Sequence, residues 1–269
     1  MIEARRLTKH FGEKRALNGV SFSVPPGQVC GYLGPNGAGK STTVKLLTGL
    51  LRPDAGGAGI CGFDVTEQPC ELRKRIGYVP ESGAVYSSLS PNEYFALIGA
   101  LHSMTPQDIS RRSISMLKLL QIDALADQRM DTLSKGSRQR VLICSALLHD
   151  PDVVLFDEPL SGLDANAARI IRDVVRGLAD RGKAILFCSH MLEIVERLCD
   201  RVIILHQGEI VAEGPSSELA SSRRLKSLDE VFQSLTGAAD HEEVARAFVN
   251  TVKEGVAQES AGRRRRAGK

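Results

Sequence analysis

The chain has no tryptophan, and Phe, Tyr and Trp together make up only 4% of its 269 residues. It lacks any apolar run near the roughly 18 residues a membrane-crossing helix requires. Its longest apolar stretches, such as Val153–Phe156 and Val202–Leu205, are strand-sized. The opening segment Met1–Leu7 has no apolar block, so no signal peptide is expected. The cysteines (30, 61, 70, 144, 188 and 199) form no CxxC pair or zinc-like cluster, which argues against a disulfide scaffold or a structural zinc site. Cys30 and Cys188 fall in apolar runs and read as small hydrophobes in a reducing compartment.

What is present is an ordinary globular balance, 42% hydrophobic and 25% charged, enough for one large or two small domains with a real core. The 35 basic and 32 acidic residues give a formal net charge of +3. Alone, that hints at nucleic acid or an anionic membrane. Residues 263–269, however, hold four Arg and one Lys, and without them the balance turns from +3 to −2. The basicity belongs to a tail that reads as solvated and disordered, so no nucleic-acid partner is expected. Close to anionic headgroups, each tail charge would contribute about 1 kcal/mol.

Short runs rich in branched residues alternate with helical periodicity. Strand-like segments are 2–7, 20–24, 28–33, 76–79, 153–156, 184–188, 202–205 and 209–212. Ile170, Ile171, Val174, Val175 and Leu178 place apolar groups on one face of a helix over 165–181. This alternation predicts an α/β fold around a mainly parallel sheet, with an antiparallel β attachment from the pieces before residue 30. Between about 83 and 135 helices follow one another. Ser90-Pro91-Asn92-Glu93 reads as a capping box, and Thr105-Pro106-Gln107-Asp108 repeats it with Asp for Glu. We read that stretch as a helical insertion between two halves of one α/β core over 1–215. Beyond it, 216–269 reads as a helical extension, with a helix over 227–237, a thin stripe of Val244, Phe248 and Val252, and the basic tail.

Gly34-Pro35-Asn36-Gly37-Ala38-Gly39-Lys40-Ser41-Thr42 fits the phosphate-loop pattern GxxxxGK[ST], with a strand before it and a helix after it. Glycines let the backbone curl so that its N–H groups converge on phosphate oxygens, and the helix N-terminus favours the same anion. Lys40 is expected on the β- and γ-phosphates and the Ser41 hydroxyl on Mg²⁺. A second site closes the apolar run 153–156 with Asp157-Glu158. Asp157 suits Mg²⁺ held through water, and Glu158 suits orienting and deprotonating an attacking water.

With these in place the order of further motifs becomes informative. After the phosphate loop come Leu133-Ser134-Lys135-Gly136-Ser137, the acidic strand end, Ser161-Gly162-Leu163-Asp164 and Ser189-His190. Over about 2–215 the chain resembles the ATP-binding subunits of ABC transporters, whose cores are P-loop NTPases. The resemblance implies a dimer sandwiching two ATP molecules. Ser134 and the Gly136 N–H would reach the partner's γ-phosphate, and His190 would serve as the switch histidine beside Glu158. Asp164 would lie in the D-loop, and Phe11 would stack on adenine. Two positions depart from the family pattern. Lys135 and Ser137 replace the Gly and Gln of LSGGQ, with Lys135 directed either to phosphate or to solvent. Glu81 stands where Gln is common, still able to ligand Mg²⁺ but adding negative charge. Pro80-Glu81, Ser227–Phe232 and Leu235–Gly237 are similar to type-2 exporter ATPases. The resemblance further implies a separate membrane permease, docked near Glu81 and residues 82–90, and a place on the cytoplasmic face of the membrane. The alternative is a soluble ATPase of the same family acting outside transport, as in iron–sulfur assembly.

Overall fold

The computed structural model describes residues 1–81, 86–222, 225 and 227–237. Expectations for residues 82–85, for the 244–252 stripe and for the basic tail lie outside them. In chain order the elements are β1 (Ile2–Phe11), β2 (Lys14–Val24), β3 (Val29–Leu33), α1 (Lys40–Leu47), β4 (Ala55–Ile60), β5 (Phe63–Asp64), α2 (Pro69–Lys74) and β6 (Ile76–Val79). There follow α3 (Pro91–Leu101), α4 (Pro106–Leu119) and α5 (Lys135–Leu147), with two 3₁₀ turns between α4 and α5. The chain then continues through β7 (Val153–Asp157), α6 (Ala165–Asp180), β8 (Ala184–Cys188), α7 (Leu192–Leu198), β9 (Arg201–His206), β10 (Glu209–Gly214), α8 (Ser216–Ser222) and α9 (Leu228–Thr236).

Six strands form one sheet in the order β10-β9-β3-β8-β7-β6. All neighbouring pairs in it are parallel except β10 against β9. The other four form an antiparallel sheet, β2-β1-β4-β5. Strand β3 shows why the large sheet needs cover on both faces. Its five residues are all buried, with Val29 and Leu33 in one apolar layer and Cys30 and Tyr32 in the other. The second layer also takes α1 and the inward residues of the antiparallel sheet, so α1 is packed between the two sheets. The first layer takes α3 to α9. Burial pushes the Cys30 thiol up to about 12, consistent with a packing role.

The first expected capping box forms in full, and the second forms only its N-cap half. Ser90 Oγ accepts from the Glu93 N–H, and Glu93 Oε2 accepts from the Ser90 N–H at 2.8 Å. Thr105 Oγ1 accepts from the Asp108 N–H at 3.1 Å. Ser227 caps α9, which ends at Gly237 in the left-handed conformation. The strands differ from expectation in two ways: the first two are longer than 2–7 and 20–24, and Ala55–Ile60 and Phe63–Asp64 are strands outside the expected segments.

Candidate active site

The phosphate loop leaves β3 at Leu33 and runs into α1. Two of its glycines are fixed by close approach. A Cβ on Gly34 would stand 2.4 Å from the Leu205 carbonyl oxygen. Gly39 has φ of +114°, and a Cβ there would meet the Ala16 carbonyl oxygen at 2.6 Å. The loop is braced by the Ala38 N–H to Pro35 O (3.1 Å) and the Gly208 N–H to Ala38 O (3.0 Å). Whereas α3, α4, α5, α6 and α9 have side-chain N-caps, α1 has none and carries no acid in its first turn. Its N-terminus is therefore directed at an anion by composition as well as by dipole. The Lys40 ammonium folds over the loop, donating to Gly34 O at 2.6 Å and Pro35 O at 3.2 Å.

Across from the loop, β7 delivers Asp157 and Glu158, both buried. Ser41 hydrogen-bonds the Asp157 carboxylate, but Asp157 Oδ1 is buried without a partner among the described residues. Burial, reinforced by Glu81 and opposed by the Ser41 hydrogen bond, pushes the Asp157 carboxyl up to about 6. A carboxyl raised above its ordinary value of 3.8 loses folding stability as pH climbs from that value through 6. We therefore expect Asp157→Asn to raise Tm at pH 7.5 by the equivalent of about 1–3 kcal/mol, and to gain nothing at pH 3. Thermal unfolding without nucleotide at the two pH values checks this; an unchanged Tm at pH 7.5 would refute it.

Glu158 occupies the left-handed region at φ of +51°. That turn is held by its N–H to Cys188 O at 3.0 Å and by the Ser161 N–H to Glu158 O at 3.1 Å. Its carboxylate meets His190 Nδ1 at 2.9 Å; the Glu158 side chain is 10% exposed and the His190 side chain 72%. Strand β8 supplies both fixed points, since Cys188 ends it and the histidine follows two residues on.

These groups share one cleft of about 640 Å³. Phe11, Lys14 and Ala16 line it from the antiparallel sheet, and residues 34–37 and 39–42 from the loop. Glu81, Asp157 and Glu158 line its acidic side, with Ser189, His190 and Leu192 beyond. Phe11 is half exposed and has Lys9 Nζ 5.8 Å from its ring centroid. Ala38 is the one loop residue turned inward, its methyl buried in the core. Phe232, from α9, also borders the cleft. Sequence reading marked its segment but gave it no place at the site, because helical spacing says which face is buried and not what lies beside it.

Ser134, Gly136 and Asp164 lie outside this cleft. Ser134 caps α5, accepting from the Ser137 N–H at 3.1 Å. A Cβ on Gly136 would stand 2.6 Å from Gly162 O. Asp164 caps α6 through the Ala167 N–H at 2.9 Å and pairs with Arg140. Lys135 is exposed, and its ammonium donates to Ser161 Oγ at 2.9 Å.

Comparison with known proteins agrees with this geometry. Residues 17–161 match the family model described as ABC transporter. The chain is 37% identical to the ABC transporter ATP-binding protein NatA of Bacillus subtilis, over 87% of this chain and 97% of that one. It is 38% identical to a Nod factor export ATP-binding protein I of Burkholderia lata, over 82% of this chain and 73% of the relative. Among solved structures, an ATP-binding subunit of an ABC transporter superposes with a TM-score of 0.83 at 30% identity, covering 87% of this chain and 99% of the other. A dimeric ATP-binding cassette in a post-hydrolysis state with ADP and Pi superposes with a TM-score of 0.75 at 25% identity, covering 80% and 98%. A phosphate loop facing a buried Asp-Glu pair, in a chain matched along most of its length, is thereby explained: the protein belongs to the ABC transporter family, as an ATP-binding and ATP-hydrolysing subunit.

Proposed function

We propose that two copies of this chain close on two ATP molecules and power a separate membrane permease, in the export direction. The observation carrying this reading is the separation within one subunit. The phosphate loop, Glu158 and His190 share a cleft that Ser134 and Gly136 do not border. A second copy is the natural source of those donors, and the dimeric relative with ADP and Pi supports it. Residues 1–215 then act as the ATPase unit with the helical insertion at about 83–135, and the remainder as its extension.

Phe11 offers a face to adenine. The loop N–H groups and Lys40 hold the phosphates, and Glu158 takes a proton from the attacking water. His190 stays oriented by Glu158 through the Nδ1 contact, leaving its exposed edge for the γ-phosphate. Asp164, capping α6, holds the D-loop at the facing surface. Ser41, Asp157 and Glu81 would hold Mg²⁺. The unpartnered Asp157 Oδ1 and the raised carboxyl beside Glu81 are what a cation relieves. No group of three His, Cys, Asp or Glu forms a metal cage among the described residues, which suits Mg²⁺ shared with phosphates and water. When bound, that ion neutralises charge on the β- and γ-phosphates.

No helix among the described residues is long and apolar enough to cross a membrane. The permease would therefore be a separate chain, with this subunit peripheral on its cytoplasmic side. For docking, a groove of about 250 Å³ runs between the core and the inserted helices, bordered by Tyr78, Tyr94 and the stacked pair His102–His149. It suits a short helix of the partner. The expected result is that a co-purifying polytopic membrane protein, reconstituted in vesicles, raises the ATPase rate several-fold. Stimulation by a soluble partner instead would overturn the transport reading.

A further inference from the structure

The start of α5 and the loop Pro159–Asp164 are joined at four points. Lys135 Nζ donates to Ser161 Oγ at 2.9 Å. Gly136 lies so close to Gly162 that a Cβ would meet its carbonyl oxygen at 2.6 Å. Gln139 Nε2 donates to the Pro159 carbonyl at 3.2 Å in a buried position. Arg140 pairs with Asp164. Lys135 contributes more than its ammonium. A Cβ on Gly162 would meet Lys135 Cδ, Cγ and Cε at 2.9, 3.0 and 3.3 Å, so three methylenes of the stem lie across that glycine.

The joined loop begins at the residue after Glu158, and Glu158 is itself fixed to β8 and to His190. One continuous set of contacts thus leads from the signature turn at Ser134–Gly136 to Glu158 and His190. If the signature of each subunit faces the ATP of its partner, as proposed above, the two ends of this path belong to different ATP molecules. We infer that Lys135 is a positioning residue that latches the signature turn to the Ser161–Gly162 loop and thereby couples the two ATP sites. The inference rests on the two-subunit reading. It assigns a role to the lysine that replaces the usual glycine: a glycine here would leave Ser161 without its donor and Gly162 uncovered. Loss of one exposed hydrogen bond changes an equilibrium by only a few-fold. The latch therefore adjusts communication between sites and does not decide whether ATP binds.

The test uses the full purified chain and measures hydrolysis against ATP concentration. Lys135→Met keeps most of the stem and removes the donor, Ser161→Ala removes the acceptor, and Lys135→Arg restores a donor. Each of the first two is expected to lower the Hill coefficient, by the modest amount that a few-fold weaker coupling gives, and to lower kcat by about threefold. Their combination should cost no more than either alone, because both break the same contact. Lys135→Arg should recover the cooperativity, and affinity for a fluorescent ATP analogue, measured on the monomer, should stay within about twofold. Additive losses, or an unchanged Hill coefficient, overturn the inference. So does a salt-sensitive loss of ATP-driven dimerisation in Lys135→Met that Ser161→Ala does not share, which would place the ammonium on phosphate. Sedimentation of Glu158→Gln with saturating ATP separates the two levels. A monomer there overturns the two-subunit reading and the latch with it. A dimer combined with unchanged cooperativity in Lys135→Met overturns the latch alone.

Discussion

Glu158→Gln is expected to bind ATP and dimerise but to turn over at least about 10²-fold more slowly, the scale of lost general-base catalysis. The substitution keeps size and shape, so the left-handed turn at φ of +51° and its hydrogen bond to Cys188 O carry over. What disappears is specific: an amide cannot take the proton of the attacking water. The charge facing His190 Nδ1 at 2.9 Å also goes, leaving an amide oxygen as a weaker acceptor to orient the imidazole. Binding should persist because the loop N–H groups and Lys40 are untouched. Sedimentation with ATP should show a long-lived dimer, since the γ-phosphate that holds it together is no longer removed. Turnover near the unmodified rate would take the base role away from Glu158.

Lys40→Ala is expected to act at the opposite end of the reaction, on binding. The ammonium is a charge-assisted donor to phosphate, and removing such a donor costs about 1.5–3 kcal/mol, or roughly 10- to 100-fold in ATP affinity. The fold should tolerate it. Lys40 is only partly buried, and its two hydrogen bonds go to loop carbonyls that water can reach once the side chain is gone. Calorimetric titration with ATP beside a thermal melt distinguishes the cases. Unchanged affinity would contradict the phosphate-loop assignment, and a collapsed melt would mean that Lys40 holds the loop rather than the ligand.

The parallel core was legible because its strands are short, apolar and buried on both faces, so Ile76–Val79, Val153–Asp157 and Ala184–Cys188 differ from expectation by at most one residue. Strand Ala55–Ile60 was not, because Ala-Gly-Gly-Ala-Gly-Ile carries almost no strand propensity. It is a strand because β1 offers it a partner, with Ile2 opposite Ile60 and Ala4 opposite Ala58. The phosphate loop and Asp157-Glu158 were legible from spacing, as their chemistry demands contiguous residues. Contacts that depend on distant segments were not. Phe232 reaches the cleft from α9, and Lys135 reaches Ser161 in the loop before α6. A linear pattern shows which residue is unusual, whereas its neighbour 26 positions away comes only with the fold.

The flanks of β3 carry a consequence for the birth of the protein. The strand that launches the phosphate loop is made early, at Val29–Leu33, yet it pairs with β8 and β9, which end at Cys188 and His206. The loop itself is pinned from the same late region, with Leu205 O against Gly34 and Gly208 against Ala38. A ribosome making this chain therefore exposes the ATP loop long before β8, β9 and Gly208 can brace it, and such non-local pairing is slow to form. Until about residue 208 has emerged, the nascent subunit has a phosphate loop by composition but none by shape. The strands that hold the ATP loop in shape are the last of the core to arrive.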